Sequence, residues 1–333
     1  MIVFLSLIAG AAGAWLVANH GHIFSLLDEP NHRSSHSKAT PKGGGIGILA
    51  ALGIAVIGLK LNFLVWLPAV ALSLVSFYGD RLHMSPKLRL ALQFACAVIT
   101  VWAFAGSGVH CVNIWLMFFF AFFIVATANY YNFMDGINGI AGITGLVGFG
   151  LLACYSWNLS SEISYLCLSI TAGCLGFLPF NMPKAKVFMG DVGSILLGFV
   201  FAAAVMVLAD SATSFICLAS FIFPFYADEL ISVLVRLKER KNLLEPHRGH
   251  LYQLLANELK IPHWKISVSY GVIQLVIAGG AIYLAKLHMV YLCIWLTVFL
   301  LFFALAYYTV IRIIKCSAGI PVCENLRMSD RNV

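Results

Sequence analysis

The chain has 333 residues, 61% hydrophobic and only 11% charged, with a net charge of +7 and a mean hydropathy of +0.92. Soluble domains carry about 25% charged residues, so this composition excludes an ordinary soluble enzyme and reads as a multi-pass membrane protein. The nine cysteines form no CxxC pair and lie mostly inside apolar runs, which makes them small hydrophobes rather than a disulfide framework or a zinc site.

Stretches of about 17 to 25 apolar residues are long enough to cross a bilayer as helices. They fall near 2–19, 43–61, 63–79, 88–106, 112–129, 137–156, 163–180, 192–210, 213–234, 265–286 and 288–313. The fold class expected is all-α, a polytopic bundle of about eleven spans. Residues 1–313 then form one transmembrane domain and 314–333 a basic cytoplasmic tail. The first stretch lacks the basic n-region of a signal peptide and is read as the first span. The second and third are split only by Lys60, Leu61 and Asn62.

Lys and Arg set the orientation. With the loops after spans 1, 3, 5, 7 and 9 and the tail on the cytoplasmic side, only Lys60 and Lys286 of the 21 Lys and Arg fall outside it. The N-terminus is then periplasmic and the C-terminus cytoplasmic. Such a basic face suits anionic lipid and equally an anionic substrate; nothing in the chain suggests nucleic acid.

The same loops hold nearly all the unusual polar residues: "DEPNHRSSHSKATPKGGG" (28–45), "YGDRLHMSPKLRL" (78–90), "NYYNFMDGINGIAG" (129–142), "FNMPKAKVFMGDVGS" (180–194) and "RLKERKNLLEPHRGHLYQLL" (236–255). Five segments far apart in sequence thus meet one face, and one composite site is the economical reading. Asp191 opens span 8 between Gly190 and Gly193, where free helix amides suit phosphate. Beside phosphates it is a sensible Mg²⁺ ligand, or else an N-cap aspartate. Asp135 repeats the arrangement at span 6, with Asn129, Asn132 and Asn138 able to read a base or sugar edge, or to make an ordinary Asx turn. "HRGH" (247–250) sets two imidazoles and a guanidinium together, suited to phosphate or to acid–base chemistry, or simply a solvated basic loop. No further ligand at zinc spacing accompanies it. "TPKGGG" (40–45) offers Lys42 and consecutive amides, without the P-loop pattern. Asp80 is either a second carboxylate of the site or a salt-bridged loop residue. Asp228 and Glu229, late in span 9, should point into the bundle or a water-filled cleft.

Taken in order, "DEPNHRSSHSKATPKGGG", "NFMDGINGIAG", "VFMGDVGS" and "PHRGHLYQLL" resemble the polyprenyl-phosphate N-acetylhexosamine-1-phosphate transferases, which include the phospho-N-acetylmuramoyl-pentapeptide transferase. The wording is most similar to the O-antigen-initiating branch. The resemblance covers residues 28–255 and makes the membrane domain a catalytic one. It implies a multi-pass enzyme of the bacterial inner membrane with its site on the cytoplasmic face. Such an enzyme passes a sugar 1-phosphate from a UDP-N-acetylaminosugar to undecaprenyl phosphate and releases UMP. Mg²⁺ is the implied cofactor, with Mn²⁺ as a substitute, and a homodimer is allowed.

Carried onto this chain, Asp80, Asp135, Asp191 and His247 are the catalytic candidates, with Asp191 the metal ligand. By the same resemblance Phe188 stacks on uracil, and Asn181 lines the nucleotide pocket with Asp135. Lys38 or Lys42 reaches the nucleotide, and Arg248 and His250 hold phosphate or sugar beside His247. Asn132 and Asn138 complete the expected binding set. Two departures stand out: Gly79 replaces the first of the family's paired aspartates, and Asn138 replaces the second aspartate of its DG-hydrophobe-D motif. Direct attack of the lipid phosphate on the β-phosphorus is the favoured route, with a phospho-aspartyl route through Asp80 or Asp135 left open. The rival class is a secondary transporter of an anionic metabolite, which should show mid-span polar residues and a hydropathy repeat; neither is clear. The CDP-alcohol phosphotransferases need a DG-rich motif with several spaced aspartates, and it is absent.

Overall fold

A backbone in hydrocarbon must satisfy its own polar groups, so apolar stretches of this length fold as helices. The computed structural model describes residues 1–21, 27–29, 39–79, 84–106, 113–240 and 248–317. In chain order these form α1 (Ile2–His20), β1 (Leu27–Asp28), β2 (Thr40–Pro41), α2 (Ile46–Gly58), α3 (Phe63–Gly79), α4 (Pro86–Ala105) and α5 (Ile114–Phe133). Then follow α6 (Ile140–Ser156), α7 (Ser161–Asn181), α8 (Asp191–Leu208), α9 (Ala212–Ala219), a 3-10 turn (Ser220–Ile222), α10 (Phe223–Lys238), α11 (Leu251–Asn257), α12 (His263–Ala285) and α13 (Met289–Ser317). β1 and β2 pair antiparallel, Leu27 opposite Pro41.

Eight of these helical segments are long and apolar enough to cross a membrane, with α9 through α10 counted as one; α2, α3 and α6 are apolar and shorter. The protein is a multi-pass helical membrane protein. α8 lies at its centre: 83% of its apolar stretch is buried, against 11% for α13. A helix that is apolar all round belongs inside a bundle, and α2, α3, α4, α5 and α6 all pack against it. Ser73 Oγ donates to the Val192 carbonyl at 2.5 Å and fixes the start of α8 on α3. The outer faces present Trp15, Trp102, Trp115, Phe118 and Phe122, the large apolar side chains of a surface that meets acyl chains.

Each predicted stretch carries a helix, and four departures from the expected pattern bear on the site. α2 begins at Ile46 rather than 43, because Gly43, Gly44 and Gly45 use their amides on Phe188 and Met189 carbonyls. α5 continues four residues past 129, so Asn129 and Asn132 stand on its last turns rather than in a loop. The ninth stretch is broken at Ser220–Ile222, just before Pro224, which cannot donate to the preceding turn. Residues 251–257, expected in a loop, form the short helix α11.

Candidate active site

One end of the bundle gathers α2, α4, α6, α8 and α12 by their N-termini and α5 and α7 by their C-termini, and hydrogen bonds tie these ends together. α8 sets the centre of this end. Gly190 has φ 71° and ψ 168°, a region essentially reserved for glycine, and turns the chain sharply into Asp191. The strand before it is clamped: Phe188 N donates to the Pro41 carbonyl at 2.8 Å, and Gly43 N and Gly44 N donate to the Phe188 carbonyl at 3.1 and 2.9 Å. Lys42 is paired alongside Phe188 by this main-chain ladder. The side chains of Lys42 and Phe188 are half-buried.

Asp191 sits in the first turn of α8, where its charge is favoured by the helix dipole. Its carboxylate accepts from Arg89 Nη1 at 2.6 Å, with both side chains about a quarter exposed, at 28% and 25%. Arg89 was not among the expected site residues. The sequence held the signal, since Ser85 followed by Pro86 marks a helix start and puts Arg89 in the opening turns of α4. Ser85 Oγ does accept from Leu88 N at 3.3 Å.

Asp135 lies just past α5. Partial burial pushes its carboxyl up to about 7, and the negative charge of Asp191 adds to this. The two expected carboxylates are therefore electrostatic neighbours. Beside them, Ser194 Oγ donates to Asn132 Oδ1 at 2.5 Å and joins α8 to α5. Gly136 lets this loop pass closely under α11, since a Cβ there would stand 2.2 Å from Tyr252 Oη.

The other asparagines hold main chain or one another. Asn181 Oδ1 accepts from Gly139 N at 2.6 Å and Asn181 Nδ2 donates to the Val187 carbonyl at 2.9 Å. With 6% exposure, Asn181 ties the entries to α6 and α8 together. Asn138 donates through Nδ2 to the Pro183 carbonyl at 3.3 Å and through its amide to His263 Nδ1 at 3.4 Å. Asn129 forms a reciprocal amide pair with Gln93, at 2.7 and 3.3 Å.

Of the basic motif, Arg248 is half-buried, while His250 is 2% exposed. The His250 ring stacks on Tyr252, with centroids 5.7 Å apart and planes at 17°. Its Nδ1 stands 3.5 Å from Glu229 Oε2 on α10. Lys38, Asp80 and His247 lie outside the described residues.

The donor set bears on a metal. Among the described residues no group of three or more His, Cys, Asp or Glu is placed to hold an ion, which does not suit zinc. Two neighbouring carboxylates, one of them already matched to a cation, do suit Mg²⁺. That ion takes one or two carboxylates and fills its remaining positions with water and substrate phosphate oxygens.

The apolar helix bundle thus gathers acids, amides and an arginine at one end, an arrangement suited to an anionic ligand. Residues 62–209 match glycosyl transferase family 4. The chain is 29% identical over 282 residues to the undecaprenyl-phosphate alpha-N-acetylglucosaminyl 1-phosphate transferase of Thermotoga maritima, covering 81% of this chain and 87% of that one. It is 30% identical over 280 residues to the phospho-N-acetylmuramoyl-pentapeptide-transferase of Gloeothece citriformis, covering 74% and 75%. A probable undecaprenyl-phosphate N-acetylglucosaminyl 1-phosphate transferase of Bacillus subtilis is 23% identical over 305 residues, covering 86% and 83%. The protein belongs to glycosyl transferase family 4. These relatives are transferases by name, which argues against the transporter alternative.

Proposed function

We propose that this protein transfers an N-acetylaminosugar 1-phosphate from a UDP-sugar to undecaprenyl phosphate, giving undecaprenyl-diphosphate-sugar and UMP. The reaction is the first lipid-linked step of a surface polysaccharide such as O-antigen. The observation that carries this reading is the meeting of Asp135, Asp191 and Arg89 at one end of the bundle, in a chain of this family. Only Lys60 and Lys286 among the Lys and Arg residues belong to the opposite end by the alternation of spans, so the site faces the cytoplasm and the inner membrane.

The chemistry follows from charge. A phosphate monoester has its second pKa near 6, so undecaprenyl phosphate is largely dianionic at neutral pH and needs little help from a general base. The obstacle is bringing that dianion to an anionic pyrophosphate, so neutralisation and in-line placement dominate. An oxygen of the lipid phosphate attacks the β-phosphorus, the bond from that phosphorus to the bridging oxygen breaks, and UMP leaves. Asp191 and Asp135 are the residues that would hold Mg²⁺, which when bound supplies positive charge at the pyrophosphate. Arg89 orients Asp191; Arg248 offers a planar fork to phosphate. The half-buried ring of Phe188, pinned through its main chain, presents a face for uracil. Gly43–Gly45, Asn181 and Ser194 hold these groups in place.

Purified full-length protein with undecaprenyl phosphate, Mg²⁺ and a panel of UDP-N-acetylaminosugars tests the reading, scored for lipid-linked sugar and UMP. The expected result is equal yields of both products from one sugar of the panel. No product with any sugar, under conditions where the Thermotoga relative turns over, would refute it.

A further inference from the structure

α10 carries two adjacent acids, Asp228 and Glu229, which are 0% and 2% exposed. The scheme above uses neither. Carboxyl groups buried in an apolar bundle are costly unless matched by partners; Asp228 is hydrogen-bonded to the start of α11, and Glu229 lies against the same short segment. Asp228 Oδ1 accepts from Leu251 N at 2.6 Å, while Oδ2 accepts from Tyr252 N at 3.2 Å and from Tyr270 Oη at 2.7 Å. Glu229 Oε2 stands 3.5 Å from His250 Nδ1.

These contacts meet a local need. The first amides of a helix lack intrahelical partners, and α11 has His250 at its N-cap rather than Ser, Thr, Asp or Asn. A carboxylate from 23 residues earlier supplies the acceptors instead. Successive helix residues project about 100° apart, so the two acids approach the turn from different sides, Asp228 bonded to its amides and Glu229 lying 3.5 Å from the His250 ring. From there the segment reaches the opposite side of the site. Tyr252, stacked on His250, donates through Oη to the Phe133 carbonyl at 3.0 Å, two residues before Asp135.

We propose that Asp228 and Glu229 are positioning residues for the transfer. They set the turn that carries Arg248 against the substrate phosphates, and through Tyr252 they hold the Asp135 loop in register with it. This rests on the transferase reading above.

The test uses the full chain in nanodiscs with Mg²⁺. It measures UDP binding by calorimetry, the KM for undecaprenyl phosphate and thermal stability. Asp228→Asn keeps the shape but puts an N–H₂ donor where an amide donor now points. Glu229→Gln keeps the shape but replaces one carboxyl oxygen by an N–H₂ group beside His250. Each is expected to weaken UDP at least fivefold with the lipid KM within twofold of wild type. Tyr270→Phe leaves both α11 amides paired and is expected to bind UDP within twofold. In an Arg248→Ala background, Glu229→Gln is expected to add less than a twofold loss, because its effect passes through the turn that carries Arg248. If Asp228→Asn does not fold, the Glu229→Gln arm carries the test alone. Wild-type UDP affinity in Glu229→Gln, or losses that simply multiply in the double variant, would overturn the proposal. Those outcomes, in a wild type that makes lipid-linked product, leave the transferase reading standing. A wild type that neither binds UDP nor makes product overturns both.

Discussion

Gly190→Ala tests how far the site depends on one backbone angle. Gly190 holds φ 71° and ψ 168°, a region that costs a residue with a Cβ about 1–3 kcal/mol. The added Cβ would also lie 2.9 Å from Gly43 N, a main-chain atom that cannot rotate away. Relief means moving the 41–45 strand off Phe188 and Met189, where four main-chain hydrogen bonds now hold it. Loss of one such bond costs about 0.5–1.5 kcal/mol net. Strain and bond together come to roughly 1.5–4.5 kcal/mol, and each 1.36 kcal/mol is tenfold in an equilibrium. The arrangement that aims Asp191 at Arg89 should therefore be depleted about tenfold at the lower limit. The assay is UMP release at saturating Mg²⁺, with Gly53→Ala as control because a Cβ there meets nothing within 4 Å. The expected outcome is a fall in kcat/KM of about tenfold or more for Gly190→Ala and near-wild-type activity for Gly53→Ala. Gly190→Ala within twofold of wild type, at unchanged thermal stability, would refute the reasoning.

Asp191→Asn should abolish turnover while the protein still inserts and folds, and the wild type should lose activity in EDTA; activity within threefold of wild type would count against the metal assignment. Phe188→Ala should weaken UDP-sugar far more than lipid, since stacking on a base is worth roughly 1–3 kcal/mol; a rise confined to the lipid KM would move Phe188 to the lipid path. Asp135 gives a pH signature. Its carboxyl is near 7 in the folded protein and 3.8 without perturbation, so the folded state holds the extra proton between those values. Its contribution to stability is thus present below about 4 and lost as pH rises through about 7. Without divalent cations, the melting temperature should fall less between pH 5 and pH 8 in Asp135→Asn than in wild type; parallel curves would remove Asp135 as the source.

Much of this protein was legible from local chemistry. A membrane span is a property of consecutive residues, so hydropathy placed a helix in every predicted stretch and even separated α2 from α3 at Lys60–Asn62. Gly190 and Asp191 announced a polar helix start in an apolar chain, and the ordered motifs placed the chain in its family. Boundaries failed where distant segments supplied the partners: Gly43–Gly45 looked like the start of a span but pair with Phe188 and Met189 instead. The same cause hid parts of the site. Arg89 meets Asp191 across 102 residues, Asn181 reaches Gly139 across 42, and Asp228 caps α11 across 23. Residue type and spacing reveal which groups carry charge, amides or donors. Which helix ends abut, and so which of these groups come within reach of one another, depends on how α8 is wrapped by its neighbours. That is a balance of packing over the whole bundle, and no local pattern encodes it.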